Sequence, residues 1–301
     1  MKIILSRKGF DSSRENGRVA SPILPNGRLL SLPIPRKSEI RYSHLHVRGY
    51  PPGTIGDVVS DLTNSRITRD SPVHLDPDLD AEAYLPRSIG WLPLFGQDGK
   101  AQSHLENQGV TKKEGDLFLF FGWFRRAEVV KGKYCYVRGA PDLHVIYGWF
   151  QVADILDPKS DNIPTWAMYH PHIERQFSCN DRIYVATETL SLNHVASNVP
   201  GAGIFRYYHD DLRLTAPDVS RSIWQLPKWF YPSDGRIPLS YHSSLNRWKA
   251  SDAHAILHTA GIGQEFVLNA EQYTEAIEWA QKLITARGAV QQLNAPDCTE
   301  Q

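Results

Sequence analysis

The chain has 301 residues, 41% of them apolar, and a formal net charge of zero, so it can bury a full core and has no overall field that favours indiscriminate binding to nucleic acid. Its three cysteines are widely spaced, which argues against a disulfide framework and a thiolate zinc site and fits a reducing compartment. No apolar run is long enough for a signal peptide or a membrane span, so we expect a cytoplasmic protein without a membrane partner.

The first predicted elements are two short strands and one helix. Residues 2–6 are strand-type, and the loop that follows them offers two cations and a carboxylate, Arg7, Lys8 and Asp11. The lysine suits a phosphate and Asp11 could orient it or act as a base, while a solvated charged loop is the alternative. Residues 29–34 predict an edge strand, because prolines bound it. A short amphipathic helix is predicted by four apolar residues at helical spacing, Ile55, Val58, Val59 and Leu62.

An acidic stretch broken by prolines follows at residues 71–80 and contains His74, Asp76 and Asp78. Its alternating carboxylates are similar to the start of a calcium loop, but alanine and arginine stand where that loop requires glycine and glutamate. A turn with solvated carboxylates is the simpler interpretation. His74 next to these carboxylates leaves a hydrolytic His/Asp site open, with Asp11 as a further catalytic candidate.

Residues 91–109 predict a loop and a short helical turn that stops at Gly109. The turn contains His104, Asn107 and Gln108, whose ring nitrogens and amides are groups that could read the edge of a base. We therefore include these three residues among the candidate nucleotide ligands.

The densest strand-type segments are residues 115–124 and 144–155. Both faces of the first segment are apolar, which is typical of a strand inside a barrel or a covered sheet. Glycines at 122 and 148 predict a bend or a bulge in each strand. Trp123 or Trp149 could stack on an unpaired base while Arg125 contacts phosphate, although tryptophans are first of all core residues.

The next candidate site is the His170-Pro-His172 sequence, because two imidazoles on one face of an extended backbone suit a divalent metal. A third ligand would come from His209, Asp210 or the acidic stretch. A turn or surface position without a metal is the simpler alternative for two histidines beside a proline.

The carboxy-terminal part predicts two strands, at residues 181–190 and 203–208, and one amphipathic helix. Asn269 is predicted to cap this helix, with Gln272 in the reciprocal position, and Gly288 is predicted to end it. We expect a single elaborated domain over residues 1–288 and a mobile tail over residues 289–301.

Several blocks resemble the nucleotide modification associated domain 3 family. They are residues 2–13 (KIILSRKGFDSS), 21–25 (SPILP), 30–35 (LSLPIP), 74–79 (HLDPDL), 104–110 (HLENQGV), 115–125 (GDLFLFFGWFR) and 263–267 (GQEFV). The resemblance spans nearly the whole chain and implies an association with DNA-base modification systems of phages and bacteria. It implies no particular reaction, and no catalytic residue is carried over from it.

The two central segments are also similar to the strands of PUA, ASCH and EVE barrels, which hold RNA or an extruded modified base in an aromatic pocket. The expected fold class is therefore α+β and β-rich, with a small PUA-like mixed β-barrel core, peripheral helices, long loops and a C-terminal amphipathic helix.

The leading functional hypothesis is a protein that binds a nucleotide or modified base in a DNA-modification or phage-defence system. Its expected ligands are Arg7, Lys8, His104, Asn107, Gln108, Trp123, Arg125 and Trp149, and its partners are a nucleotide or nucleic acid, with modified DNA and proteins of the modification system as options. This base-binding hypothesis requires no cofactor. The alternative is an enzyme that acts on nucleotides through His74, Asp76, Asp78 and His170/His172, with a divalent metal as the possible cofactor.

Overall fold

The computed structural model describes residues 1–10, 19–46, 54–111, 115–160, 162–174, 179–192, 195–261 and 263–288, and structural statements below concern these residues. The candidate Asp11 and the predicted tail at 289–301 lie outside them.

Fourteen strands and four α-helices are found in this part of the chain. The strands are β1 (Lys2–Arg7), β2 (Ser21–Ile23), β3 (Leu94–Gln97), β4 (Leu117–Val130), β5 (Lys133–Tyr136), β6 (Leu143–Leu156), β7 (Arg182–Ala186), β8 (Thr189–Leu192), β9 (Val195–Pro200), β10 (Ala202–Ile204), β11 (Ile223–Pro227), β12 (Trp248–Ala250), β13 (His254–His258) and β14 (Glu265–Asn269). The helices are α1 (Ile55–Leu62), α2 (Gly99–Asn107), α3 (Pro171–Glu174) and α4 (Glu275–Gly288).

The main sheet has nine strands, and its longest path runs β14-β1-β4-β6-β7-β3. The two aromatic segments predicted as strands form β4 and β6 and pair antiparallel, while β1 lies parallel to β4 on the other side. The register of β4 and β6 shifts where Phe120 pairs with Gly148 and Phe121 pairs with Ile146. The bulge is therefore next to Gly148, one of the two glycines at which the sequence predicted an irregularity.

Both faces of β4 are buried over residues 117–124, with Trp123 half-buried, which explains the almost continuous apolar sequence of this part of the strand. Phe118 and Phe120 pack on Phe95 of β3, with ring centroids 5.0 and 5.2 Å apart. Phe121 points to the opposite face and contacts Trp224 of β11, at 5.0 Å.

The sheet is open: its end strands β14 and β3 do not pair with each other in the described residues. The α+β, strand-rich class is confirmed, whereas the PUA-like barrel is not. In the same part of the chain, no helix is long and apolar enough to cross a membrane.

Residues 73–79 run between three hydrophobic clusters. Val73 and Leu75 belong to a cluster that contains the apolar face of α1, Leu79 belongs to the main core, and Leu94 belongs to a third cluster with Ile183. The backbone of Asp78 exchanges two hydrogen bonds with Leu94, at 2.9 and 3.0 Å. The acidic stretch is therefore an internal segment and not a solvated surface turn.

Two predicted elements have different boundaries in the structure. Asn269 does not cap α4, because it is the last residue of β14 and pairs with Lys2, and the helix begins only at Glu275. Residues 29–34 do not form a strand, since only single bridges link Leu29 to Ile23 and Ile34 to His74. Prolines at 33 and 35 lack the N–H groups that a continuous ladder needs.

Three further segments also differ from expectation. Residues 91–109 contain strand β3 and the nine-residue helix α2, where only a loop and a turn were predicted. Residues 181–190 divide into β7 and the start of β8, and residues 203–208 contribute only the end of β10. A four-residue strand such as Leu-Phe-Gly-Gln lacks the length to give a clear period, so its pairing with β7 decides its conformation.

Candidate functional site

Six polar side chains from distant parts of the sequence form a buried group, hereafter the His/Asp cluster. Its members are Lys8, His74, Asp76, His170, His172 and Asp181, and each is at most 7% exposed. Lys8 follows β1, the His74–Asp76 pair lies in the internal acidic segment, the two other histidines flank the start of α3, and Asp181 precedes β7. Such a density of buried ionisable groups has a high desolvation cost, so it indicates a specific role.

Asp76 lies at the centre of the His/Asp cluster. Its Oδ1 accepts a hydrogen bond from the Gly96 N–H at 2.6 Å and lies 3.6 Å from His170 Nε2. Three nitrogens surround its Oδ2, namely Lys8 Nζ at 3.7 Å, His172 Nε2 at 3.8 Å and His74 Nε2 at 3.9 Å.

The protonated nitrogen of two rings follows from their other contacts. His172 Nδ1 lies 2.7 Å from Asp181 Oδ1, and a carboxylate only accepts, so His172 donates from Nδ1. Its Nε2 is then the nitrogen that can bind a metal. His170 Nδ1 accepts the His172 backbone N–H at 3.3 Å, so a neutral His170 carries its proton on Nε2, towards Asp76.

Burial and charge set the ionisation of the cluster. Burial holds the pKa of His74 well below its ordinary value against the opposing effect of the Asp76 charge, and His172, His170 and Lys8 act in the same direction as burial. Burial alone would raise the pKa of Asp76, but Lys8 and the two histidines near Asp76 outweigh it, and the pKa lies far below the usual range. Asp76 is therefore an anion beside a neutral His74.

Gly96 brings strand β3 close to His172. A Cβ atom at this position would lie 2.3 Å from His172 Cδ2, far inside van der Waals contact. The Gly96 carbonyl also accepts a hydrogen bond from Lys8 Nζ at 3.3 Å, and Lys8 lies 4.4 Å from the centroid of the Phe95 ring. The absence of a side chain at this one position thus permits the close packing of the cluster.

Three residues of the cluster offer a metal-binding arrangement. One ligand atom each from His74, Asp76 and His172 can be chosen so that all three lie within 4.8 Å of one another. Two imidazoles and one carboxylate are the protein ligands of several zinc hydrolases and of non-haem iron oxygenases. Asp181 supplies the outer carboxylate that commonly orients a metal-binding histidine.

Asp78 has a different environment from Asp76. Arg87 donates to both of its oxygens, at 2.6 and 2.7 Å, and the Tyr169 hydroxyl donates to Oδ2. The Asp78 side chain has no exposed surface and that of Arg87 is 10% exposed, so this is a buried, bidentate ion pair. Among the carboxylates predicted as catalytic that the structure describes, only Asp76 therefore lies in the cluster.

A cavity of about 100 Å³ reaches the cluster from one side. Asp76 contributes to its wall, together with Arg28, Ser31, Tyr147 and Phe205. Any small molecule in this cavity would lie next to the central carboxylate.

The predicted nucleotide ligands are dispersed over the molecule. Lys8 belongs to the His/Asp cluster, whereas Arg7 ends β1 and Arg125 lies 5.3 Å from the Tyr136 ring. Trp149 is 3% exposed and its indole N–H donates to the Pro200 carbonyl at 3.0 Å. Trp123 is half-buried, and the Arg221 guanidinium lies 4.0 Å from its ring.

His104 and Asn107 do lie together, in a shallow cleft of about 580 Å³ beside α2. The His104 ring lies 4.2 Å from that of Tyr241, and its Nε2 is 2.9 Å from the Ser240 hydroxyl. Gln108 is exposed at the end of the helix.

The sequence interpretation did not identify Asp181, Gly96 or Arg28. All three are common residue types, and their roles depend on residues that are distant in the sequence. Asp181 contacts His172, Gly96 lies against His172, and Arg28 shares a cavity with Asp76. No local signal would have distinguished them.

Comparison with known proteins gives one match. The family model described as nucleotide modification associated domain 3 matches residues 2–269. No curated protein and no solved structure has significant similarity to the chain.

Proposed function

The chain belongs to the nucleotide modification associated domain 3 family, and we propose that it is a metal-dependent enzyme that acts on nucleotides in a modification system. Its centre is formed by His74, Asp76 and His172. The observation on which this rests is the approach of their three ligand atoms to within 4.8 Å of one another inside the protein.

The spacing of these atoms supports a shared cation. Asp76 Oδ2 lies 3.8 Å from His172 Nε2 and 3.9 Å from His74 Nε2, which is too long for a hydrogen bond. In a tetrahedral site with bonds of about 2.0–2.1 Å, ligand atoms lie about 3.4 Å apart. The two Asp76–histidine separations are close to this value, while the two histidine nitrogens, which lie within 4.8 Å of each other, would move closer together when a metal binds.

The surrounding groups support the same role. Asp181 accepts from His172 Nδ1 and thereby directs Nε2 towards Asp76. Gly96 fixes the other oxygen of Asp76 by a 2.6 Å hydrogen bond, which leaves Oδ2 for the metal. A bound divalent ion would activate a water molecule or polarise a substrate oxygen, and Lys8 beside it would stabilise the negative charge that develops.

The direct test is the metal content of the purified protein after exposure to zinc, iron or manganese, followed by removal of loose ions. We expect about one divalent ion per chain, lost in Asp76→Asn and in His172→Ala, and a roughly 10- to 100-fold weaker affinity in Asp181→Asn. His209→Ala is the matched control: His209 is an exposed histidine 3.2 Å from Asp211, and the sequence offered it as an alternative third ligand.

Two outcomes would contradict the proposal. One is a wild-type chain that retains no divalent ion under any of these conditions. The other is unchanged metal content in the Asp76 and His172 variants. In either case, Lys8 would instead serve as the permanent counter-charge of Asp76.

A base-binding role is the second candidate, and the cleft beside α2 favours it. It combines two predicted base-reading residues, His104 and Asn107, with Tyr241, a residue that is 38% exposed. A partly exposed aromatic residue beside polar side chains suits a stacked base. Binding of modified nucleosides should then weaken in Tyr241→Ala and Asn107→Ala, and persist in Trp149→Phe, whose site is buried. Weaker binding in Trp149→Phe, with unchanged binding in the other two variants, would instead support the predicted aromatic pocket at Trp149.

A further inference from the structure

Arg28 carries a buried charge with no direct counter-ion. The residue is 6% exposed and lines the cavity that also reaches Asp76. Its backbone N–H donates to Asn26, whereas in the described part of the chain its guanidinium makes no hydrogen bond and no ion pair within 4.0 Å. A cation without a counter-ion on so buried a residue is costly, so its retention calls for an explanation.

The neighbouring charges do not provide a partner. Burial lowers the pKa of Arg28, and Arg206 lowers it further, while Tyr207, Asp80 and Glu82 oppose this only at a distance. Of these groups, Asp80 lies beside another cation, since its Oδ2 is 3.9 Å from Arg206 Nη2.

The other acids of the cavity wall are already balanced. Lys8 lies 3.7 Å from Asp76, and Arg87 forms the bidentate pair with Asp78. In the metal-free chain, the charge that remains for an occupant of the cavity to neutralise is that of Arg28. The cavity therefore favours an anionic group, and a guanidinium suits the oxygens of phosphate or carboxylate.

We propose that Arg28 binds a phosphoryl group of the substrate inside this cavity, so that the substrate is a nucleotide and not a free base or nucleoside. The assignment of the remaining part of the substrate as a nucleoside rests on the proposed function. The volume of about 100 Å³ fits one phosphoryl-sized group, because pockets that enclose whole ligands measure roughly 300–1,000 Å³. Asp76 shares the cavity wall, so the proposed metal centre faces the phosphorylated end of the substrate.

The test compares four deoxynucleoside 5′-monophosphates with their nucleosides, by calorimetry on the full chain freed of metal with a chelator. We expect at least one monophosphate to bind wild type tenfold or more tightly than its nucleoside, and inorganic phosphate to compete with it. Arg28→Met should abolish the difference. Arg138→Met, which removes an exposed arginine, should preserve it. Equal affinities for nucleotide and nucleoside in wild type, or an unchanged preference in Arg28→Met, would overturn the proposal.

The stability of the variant gives an independent measurement. Removal of an uncompensated buried charge should raise the Tm of ligand-free Arg28→Met above that of wild type. A lower Tm or a failure to fold would show that the charge has a structural partner, which also overturns the proposal. Nucleotide binding is measured without metal, so the two tests are independent. A chain that retains no divalent ion would contradict only the proposed function, and a chain that shows no preference for the monophosphate would contradict only this inference.

Discussion

Asp76 and Asp78 are two positions apart, both buried, and both were candidates for catalysis, yet their partners differ. Asp78 satisfies the Arg87 guanidinium through two short hydrogen bonds, whereas Asp76 faces three nitrogens at 3.7–3.9 Å. A bidentate pair fixes structure, while a carboxylate among more distant nitrogens is available to bind a cation. Neutralising each aspartate should therefore affect a different property.

We predict that Asp78→Asn destabilises the protein by about 3–5 kcal/mol, because it leaves the Arg87 charge buried without its partner. Metal content should stay at the wild-type level in the folded fraction. Urea unfolding measures the first quantity and metal analysis the second, with Asp76→Asn as the comparison. A loss of metal in Asp78→Asn at unchanged stability would contradict this division.

His242 gives a pH-dependent prediction remote from the cluster. Its Nδ1–H donates to the Ser240 carbonyl at 2.8 Å and its Nε2 accepts the Ala260 N–H at 3.0 Å, so both contacts use the neutral ring. Burial lowers the pKa of His242 to about 4. The unfolded chain, with a pKa near 6.5, binds more protons between these values, so the stabilising effect is complete above pH 6.5 and is lost as the pH falls towards 4.

At pH 5 this histidine should lower the free energy of unfolding by about 2 kcal/mol relative to pH 7. His144, whose pKa burial lowers to about 3, contributes in the same direction, so the effect of His242 is isolated by comparison with His242→Gln. Urea unfolding of wild type and of this variant at pH 5 and pH 7 measures the difference in the free energy of unfolding. An equal loss in the variant and in wild type would show that His242 does not titrate in this range.

At the scale of elements, the sequence predicted those whose own pattern is strong. The aromatic runs of β4 and β6 and the helical spacing of α1 are local signals, and the elements formed as expected. Strand β3 forms by pairing with β7. Helix α4 starts late because Asn269 belongs to β14, which pairs with β1. No local pattern in the sequence reveals these partners. The candidate site divides in the same way. Two histidine motifs were noted separately, but their approach to a common aspartate depends on tertiary structure.

Gly96 of strand β3 provides a test of the close approach of His172 to Asp76. Gly96→Ala would place a methyl group 2.3 Å from the His172 ring, which Asp181 holds on its other side. We expect a loss of about 1–3 kcal/mol of stability and a clear loss of metal affinity, measured by urea unfolding and metal titration. Gly261→Ala is the control, because a Cβ there meets nothing within 4 Å. Wild-type metal affinity in Gly96→Ala would show that His172 is not a ligand.

For the whole molecule, the boundary of the family match is informative. The match ends at residue 269, the last residue of β14, whereas the structure continues into α4. This helix buries Ala276, Ile277, Ala280, Leu283 and Ile284 in the main core. Arg287 also donates to Asp211 at 2.6 Å, which ties the helix to the segment before β11. The folding unit therefore includes residues beyond the matched family domain.

Two truncations test this conclusion. Removal of residues 270–301 deletes four large buried side chains, Tyr273, Ile277, Leu283 and Ile284. Each contributes roughly 1.5–3 kcal/mol, and the sum is comparable to the total stability of an ordinary domain. We expect this chain to be unfolded or aggregated. Removal of residues 289–301 alone, the predicted tail, should leave the Tm within about 2 °C of wild type, since it takes away none of these side chains. Circular dichroism and thermal melting compare the two. A cooperative transition in the longer truncation would show that α4 is an accessory to the fold and not a part of its core.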